Sequence, residues 1–361
     1  MNPKSHRKTL LTRSRQRQHG LSIIEIMVAI TVSLILLAGV VQILVSSKQT
    51  YQVQDVVGRL QENGRFAIDF ITNETRAAGY MGCSNLWRTD PVIVTNPAVT
   101  FDSDNILQSY DNTGTSTWTP ALPATITNAA TAAGTAVMDG TDVLTVMRGA
   151  TCSSFLANSM GSATADISLA DNACQIADDD VLIISDCRFA HVFTANDVNP
   201  DPTGSNQSTP VTVAHSKSGN KNNSDNLTLY TARAQVAKFE NITYFIGTGA
   251  SGEPALWQIR DGTARELVDG VEDLQIWFGQ DGNGDFSADR YLKASDGAFD
   301  MGQAISMRMH LLLRTSSDNV TADPQQYIFD GATVTATDNR LRREFKTMVN
   351  LRNKSLWYPS P

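Results

Sequence analysis

Residues 21–45 contain no Lys, Arg, Asp or Pro, and Glu25 is their only charge. At a helical rise, such a run extends ~37 Å, enough to cross a hydrocarbon core of ~30 Å with some tilt. Ahead of it stand Lys4, Arg7, Lys8, Arg13, Arg15 and Arg17 with no acid. Positive charge beside an apolar span holds that end in the cytoplasm. A removable secretory signal has an apolar stretch of only roughly 7–15 residues, and an ordinary anchor gives no reason for Glu25. An acid inside a membrane is costly and points to a function that needs it.

Helical periodicity continues beyond residue 45. Val53, Val56, Val57, Leu60, Ala67, Ile68, Ile71 and Ala78 recur at three- and four-residue steps, with Gln54, Asp55, Arg59, Glu62, Asp69 and Glu74 between them. The spacing predicts an amphipathic continuation to about Arg76, closed by Gly79. Past Gly79 the pattern becomes β. Residues 142–147, 181–185, 189–193, 227–230, 239–246, 256–259, 274–278, 304–314 and 345–351 are short β-branched or aromatic runs bounded by turn residues. Residues 110–135, rich in Thr, Ala and Asn, and 196–226, rich in Asn, Ser, Gly, Lys and Pro, read as long structureless loops.

The 316 residues after Val45 can bury a core of their own. With the six leader charges and Glu25 set aside, the formal charge of −8 becomes −13 for this remainder. So acidic a domain, with no basic stripe, argues against a nucleic-acid partner. Cys83, Cys152, Cys174 and Cys187 all follow the span, which suits two disulfides in an oxidising compartment. Four cysteines allow three pairings; proximity favours Cys152–Cys174 across one polar loop and Cys83–Cys187.

Asp281, Asn283, Asp285, Ser287 and Asp289 put side-chain oxygens at alternate positions, as a calcium loop does. An EF-hand needs Gly at its sixth place and Glu at its twelfth, where Phe286 and Leu292 stand. A simple calcium turn or an Asp/Gly hairpin remain, and the hairpin is preferred. No other cofactor is expected. His6 and His19 lie in the leader, leaving His191, His215 and His310 scattered beyond the span. No His-Glu-x-x-His, Gly-x-Ser-x-Gly or phosphate loop accompanies them, so no catalytic residue is assigned and an enzyme is not expected.

The string Gly20-Leu-Ser-Ile-Ile-Glu25 behind a basic leader resembles the type IV prepilin signal. That resemblance implies cleavage after Gly20 by a prepilin peptidase, methylation of the new amine at Leu21, and a role for Glu25 in assembly. Leu21 and Ser22 depart mildly from the Phe and Thr usual in the family. Gln42 replaces the Pro that often kinks a major pilin's helix. Further on, Arg76-Ala-Ala-Gly-Tyr80-Met-Gly-Cys83, Gly270-Val-Glu-Asp-Leu-Gln-Ile-Trp-Phe-Gly279, Arg342-Arg-Glu-Phe345 and Val349-Asn-Leu-Arg-Asn353 resemble the PilW family of minor pilins. The resemblance covers residues 20–83 and 270–353.

It implies an α+β, pilin-like fold: a long N-terminal helix, transmembrane then amphipathic, packed on an antiparallel sheet with large loop and β insertions. The divisions would be a leader at 1–20, a membrane helix at 21–45, its amphipathic continuation at 46–79 and a β-rich periplasmic domain at 80–361. It implies a structural minor pilin held in the inner membrane, cytoplasmic at its N-terminus, which primes type IV pilus assembly and ends at the tip on the cell surface. Its partners would be the prepilin peptidase, other minor and major pilins and a tip adhesin. A type II secretion minor pseudopilin shares the signal. A membrane-anchored periplasmic enzyme or receptor is the alternative from another class.

Overall fold

The computed structural model describes residues 20, 22–84, 86, 90–199 and 210–353. Helix α1 runs unbroken from Ile23 to Arg76. It has no Pro, and Gly39, Gly58 and Gly64 are tolerated within it. Its end is set at Gly79, whose φ of +72° is a conformation that favours glycine. The Gly79 N–H is bound by the carbonyl of Met147 at 2.9 Å.

The strands follow in chain order. Val92–Ile93 (β1), Leu107–Gly114 (β2) and Thr117–Thr119 (β3) precede a second helix, Ala124–Ala132 (α2). Then come Val143–Gly149 (β4), Ser154–Phe155 (β5), Ile167–Leu169 (β6), Val181–Ser185 (β7), Ala190–Thr194 (β8), Asp197–Asn199 (β9) and Val211–Ala214 (β10). The long strand Gln235–Thr248 (β11) is followed by Pro254–Arg260 (β12), Thr263–Asp269 (β13), Val271–Gln280 (β14) and Arg290–Leu292 (β15). Ala304–Arg314 (β16), Gln326–Phe329 (β17), Ala332–Thr335 (β18) and Arg342–Asn350 (β19) complete the series.

Strand β11 is the spine of the larger sheet. Its first residues pair with β7 and β5, its middle with β4 and its end with β12, all antiparallel. Fourteen residues allow this sharing, because each neighbour needs only a few rungs. A second sheet has the order β15-β14-β16-β19. Strands β6, β10 and β9 form a third, and β17 and β18 a lone hairpin.

From Val56 onward the chain forms one compact unit, distinct from the unit ending at Asp55. Within the later unit, Leu60, Ala67 and Ile71 of α1 share a core with residues of β4, β11, β14 and β16. Gly64 lets helix and sheet approach closely: a Cβ there would lie 2.5 Å from ring carbons of Phe345. Two further cores lie elsewhere. One is gathered under β7 and β8 by Leu169, Val213 and Tyr230; the other joins α2 to Phe245 and Trp257.

Three expectations are corrected. Residues 110–135 are not structureless: they hold the end of β2, all of β3 and α2. The Ala/Thr composition there hid a helix whose Ile126, Ala129 and Ala130 are small enough to pack on the sheet. Residues 196–226 contain β9, β10 and a short 3-10 turn at Ser218–Asn220, with 200–209 outside the described residues. Residues 227–230 join no ladder; Leu227 and Tyr230 serve the core as buried side chains, not as strand residues.

Candidate assembly site

The first half of α1 gives nothing to the chain's own core. Ile23, Ile24, Ile35 and Leu36 are 77%, 72%, 72% and 65% exposed. The helix is long and apolar enough to cross a membrane, and none of its apolar window is buried within the chain. So large an apolar surface needs lipid or other helices around it. Glu25 lies in the first turn, where the helix dipole favours an acid. Gly20 is exposed, with no heavy atom within 4 Å of where a Cβ would stand. Leu21 and the basic leader lie outside the described residues.

The second half of α1 is clamped by charge as well as by packing. Glu74 meets Arg148 of β4 at 2.7 Å and Arg260 of β12 at 2.8 Å. Glu240 of β11 meets the same two arginines at 2.8 and 3.0 Å. Two acids and two arginines thus form a closed ring, in which Arg148 is buried. Strand alternation places Arg148 on the face of Leu144 and Val146, towards the helix. That signal was present in the sequence, but its partners lie far away in the chain.

A second polar joint ties the two larger sheets together. Asp142, at the entry to β4, receives the Ile276 N–H at 2.9 Å and the Lys293 ammonium at 3.3 Å. Its own N–H is bound by the Leu274 carbonyl at 2.8 Å. Burial lifts its carboxyl to about 6, against the pull of Lys293. Burial likewise lifts Asp273 to about 7, despite a hydrogen bond from Gln275.

The three histidines beyond the span all have structural partners. His191 Nδ1 lies 2.7 Å from the Tyr230 hydroxyl, and burial, helped by His215, lowers its pKa to about 4. His215 Nε2 is 2.9 Å from the Ala165 carbonyl. His310 Nδ1 is 2.7 Å from Glu344.

Residues 281–289 link the antiparallel strands β14 and β15, so the hairpin expected there is present. The Asp281 carboxylate accepts the N–H groups of Gly284 at 2.6 Å and Phe286 at 2.8 Å. Asn283, Asp285 and Asp289 accept the N–H groups of Asp285, Ser287 and Gly282. Slight desolvation acts upward on the Asp281 pKa, and the backbone donors outweigh it, leaving the pKa below its ordinary value. Among the described residues, no group of three or more His, Cys, Asp or Glu is placed to hold a metal ion. Because Phe286 and Leu292 stand where a calcium loop needs Gly and Glu, and the Asp281 carboxylate already accepts backbone N–H groups, melting of the protein is expected to be indifferent to calcium or chelator, and Asp281→Ala should cost little stability. A rise of many degrees at micromolar calcium, abolished by that substitution, would instead establish a calcium site.

Cys83 is bridged to Cys187 and Cys152 to Cys174, with Cα separations of 4.7 and 5.6 Å. The first bond ties the segment just after α1 to the turn between β7 and β8. Ser185 adds a hydrogen bond to the Met81 carbonyl there.

A signal-like N-terminus, a long apolar helix and a β-rich domain clamped to its second half together define the class of type IV pilin-like proteins. Residues 15–41 match the prokaryotic N-terminal methylation motif. Residues 243–353, from within β11 through β19, match the family described as type IV pilus-assembly protein W. With these matches at its two ends, the chain is similar to the PilW family of type IV pilus-assembly proteins over residues 243–353 and carries the methylation motif near its N-terminus. No curated protein and no solved structure matches it.

Proposed function

We propose that this chain is a structural, non-enzymatic subunit that primes type IV pilus assembly and is carried at or near the pilus tip. The observation that carries the reading is the pairing of a prepilin-type signal with a wholly exposed apolar half-helix. Before assembly the inner membrane would cover that surface, with the β-rich domain in the periplasm. After extraction, only neighbouring pilin helices could cover it. Glu25, moved with the helix into such a bundle, needs a positive partner. The new amine at Leu21 of an adjacent subunit would supply it. Other minor and major pilins, the prepilin peptidase and a tip adhesin are the partners this role requires.

Native protein should begin at N-methylated Leu21, as read by intact mass or N-terminal analysis. Sheared pilus preparations should contain it. A chain starting at Met1 or Lys48 would overturn the prepilin reading. Glu25→Ala should still be cleaved yet assemble poorly; normal piliation by that variant would remove the charge-pairing argument.

A further inference from the structure

The three-stranded sheet β6-β10-β9 packs on β7 and β8, and apolar side chains close the seam between them. Leu169, Val198, Val211 and Val213 of the small sheet share a core with Leu182, Ile184 and Phe193. Two histidines are built into this seam. Strand alternation puts His191 of β8 on the same face as Phe193, and His215 directly follows β10. They are only 5% and 1% exposed.

Their surroundings suit neutral rings. His191 Nδ1 lies 2.7 Å from the Tyr230 hydroxyl, and the two rings meet edge to face at 5.7 Å. His215 Nε2 lies 2.9 Å from the Ala165 carbonyl, which can only accept, so this nitrogen carries the proton. Nδ1 of the same ring is then a lone pair, and among the described residues it has no partner. A second proton on His215 would set a charge and an unmet N–H donor inside the seam, which is costly.

Among the described residues, the histidine paired with acids is His310, not these two. The titratable groups facing the pair are each other and Tyr230. Burial, and then the charge of Asp186, raise the Tyr230 pKa, so its hydroxyl stays un-ionised. Asp186 lies at the turn between β7 and β8, where its carboxylate accepts the N–H groups of Arg188 and Phe189, both at 2.8 Å. Asp166 and Lys217, the charged residues next along the chain from Ala165 and His215, are exposed.

We propose that this histidine pair is an acid-sensitive catch, whose protonation releases the sheet β6-β10-β9 from β7 and β8 while the other sheets stay folded. Burial, helped by His215, holds His191 at about 4 when the seam is closed, against an ordinary 6.5. Closure is therefore fully favoured above 6.5, and that advantage is lost as pH falls towards 4. At the joint between the two larger sheets the sign is opposite. Burial lifts Asp142 and Asp273 there, so acid favours that joint and the loosening stays local. The catch does not depend on the pilus role.

The test is hydrogen–deuterium exchange of the full-length protein in detergent. Protection factors, which remove the intrinsic pH dependence of exchange, should fall roughly tenfold or more at residues 167–169 and 211–214 between about pH 7 and about pH 4.5. Residues 304–314 should keep theirs. His191→Gln/His215→Gln, uncharged at both pH values, should abolish the fall. In the unsubstituted protein, slow exchange at the imidazole C2–H should place the His191 titration well below 6.5. Equal loss of protection at 304–314, no loss at 211–214, or a loss that persists in the double variant would each overturn the proposal. So would titration of both histidines at the ordinary value.

Discussion

Arg148→Ala should be among the most damaging single substitutions outside the apolar core. It leaves Glu74 and Glu240 facing each other with only Arg260 between them, and Arg260 is the more exposed of the two arginines. Removing one member of a buried ion pair typically costs about 3–5 kcal/mol, because the remaining charge is uncompensated. For a domain of this size that is roughly a 5–10 °C fall in melting temperature. Thermal and urea unfolding of a fragment beginning at Ser46 would measure it. The double variant Arg148→Met/Glu240→Met keeps the Glu74–Arg260 pair and should recover much of the loss. A fall of under about 1 kcal/mol for Arg148→Ala, the range of surface pairs, would mean that water reaches the ring and that packing alone holds the helix. The ring joins the second half of α1 to β4, β11 and β12. Under the proposed pilus role, a pull on the helix during extraction would pass through it.

Removing the Cys83–Cys187 bond should cost more than removing Cys152–Cys174. The first closes 104 residues and the second 22. In the chain-entropy account, loops of those lengths correspond to about 4–5 and about 3 kcal/mol. The double variant Cys83→Ser/Cys187→Ser should therefore lose stability by about 1 kcal/mol more than Cys152→Ser/Cys174→Ser in denaturant titrations. Non-reducing peptide mapping checks the pairing. Four free thiols in the native protein would defeat the expectation outright, and a reversed order of stability would show that native contacts outweigh loop length. Both bonds lie outside residues 243–353, so they staple the part of the domain that the family match does not cover.

Legibility in the sequence followed the range of the interaction. The strand at 304–314 was visible because Ile305-Ser-Met-Arg-Met-His310-Leu alternates apolar and polar residues, which puts the apolar ones on one face and the polar ones on the other. The hairpin at 281–289 was visible because Asp, Asn and Gly make turns by local hydrogen bonds, and those bonds are present. Strand β13, Thr263–Asp269, was missed because its sequence TARELVD is mostly polar, and its place depends on the neighbouring β12. Helix α2 was missed for a related reason: Ala and Thr give little hydrophobic periodicity, and its burial depends on Phe245 and Trp257 far along the chain. Residues 227–230 looked like a strand because Leu and Tyr are strand formers, yet burial of their side chains did not require a ladder.

By itself, the sequence determined the long helix, its division into an apolar half and an amphipathic half, the signal-like start and the β character of the chain beyond Gly79. Each depends on the identity and spacing of residues within a few turns or rungs, so the chain carries the information locally. Only the tertiary structure decided that Glu74 would share arginines with Glu240, that β11 would serve four neighbours, and that the Gln325 side chain would bond both backbone groups of Arg342 at one end of β19. Glu74 and Arg260 are 186 residues apart. No periodicity encodes such a pair, because which charges meet is fixed by how the sheets and helix pack, and that depends on all the core residues together.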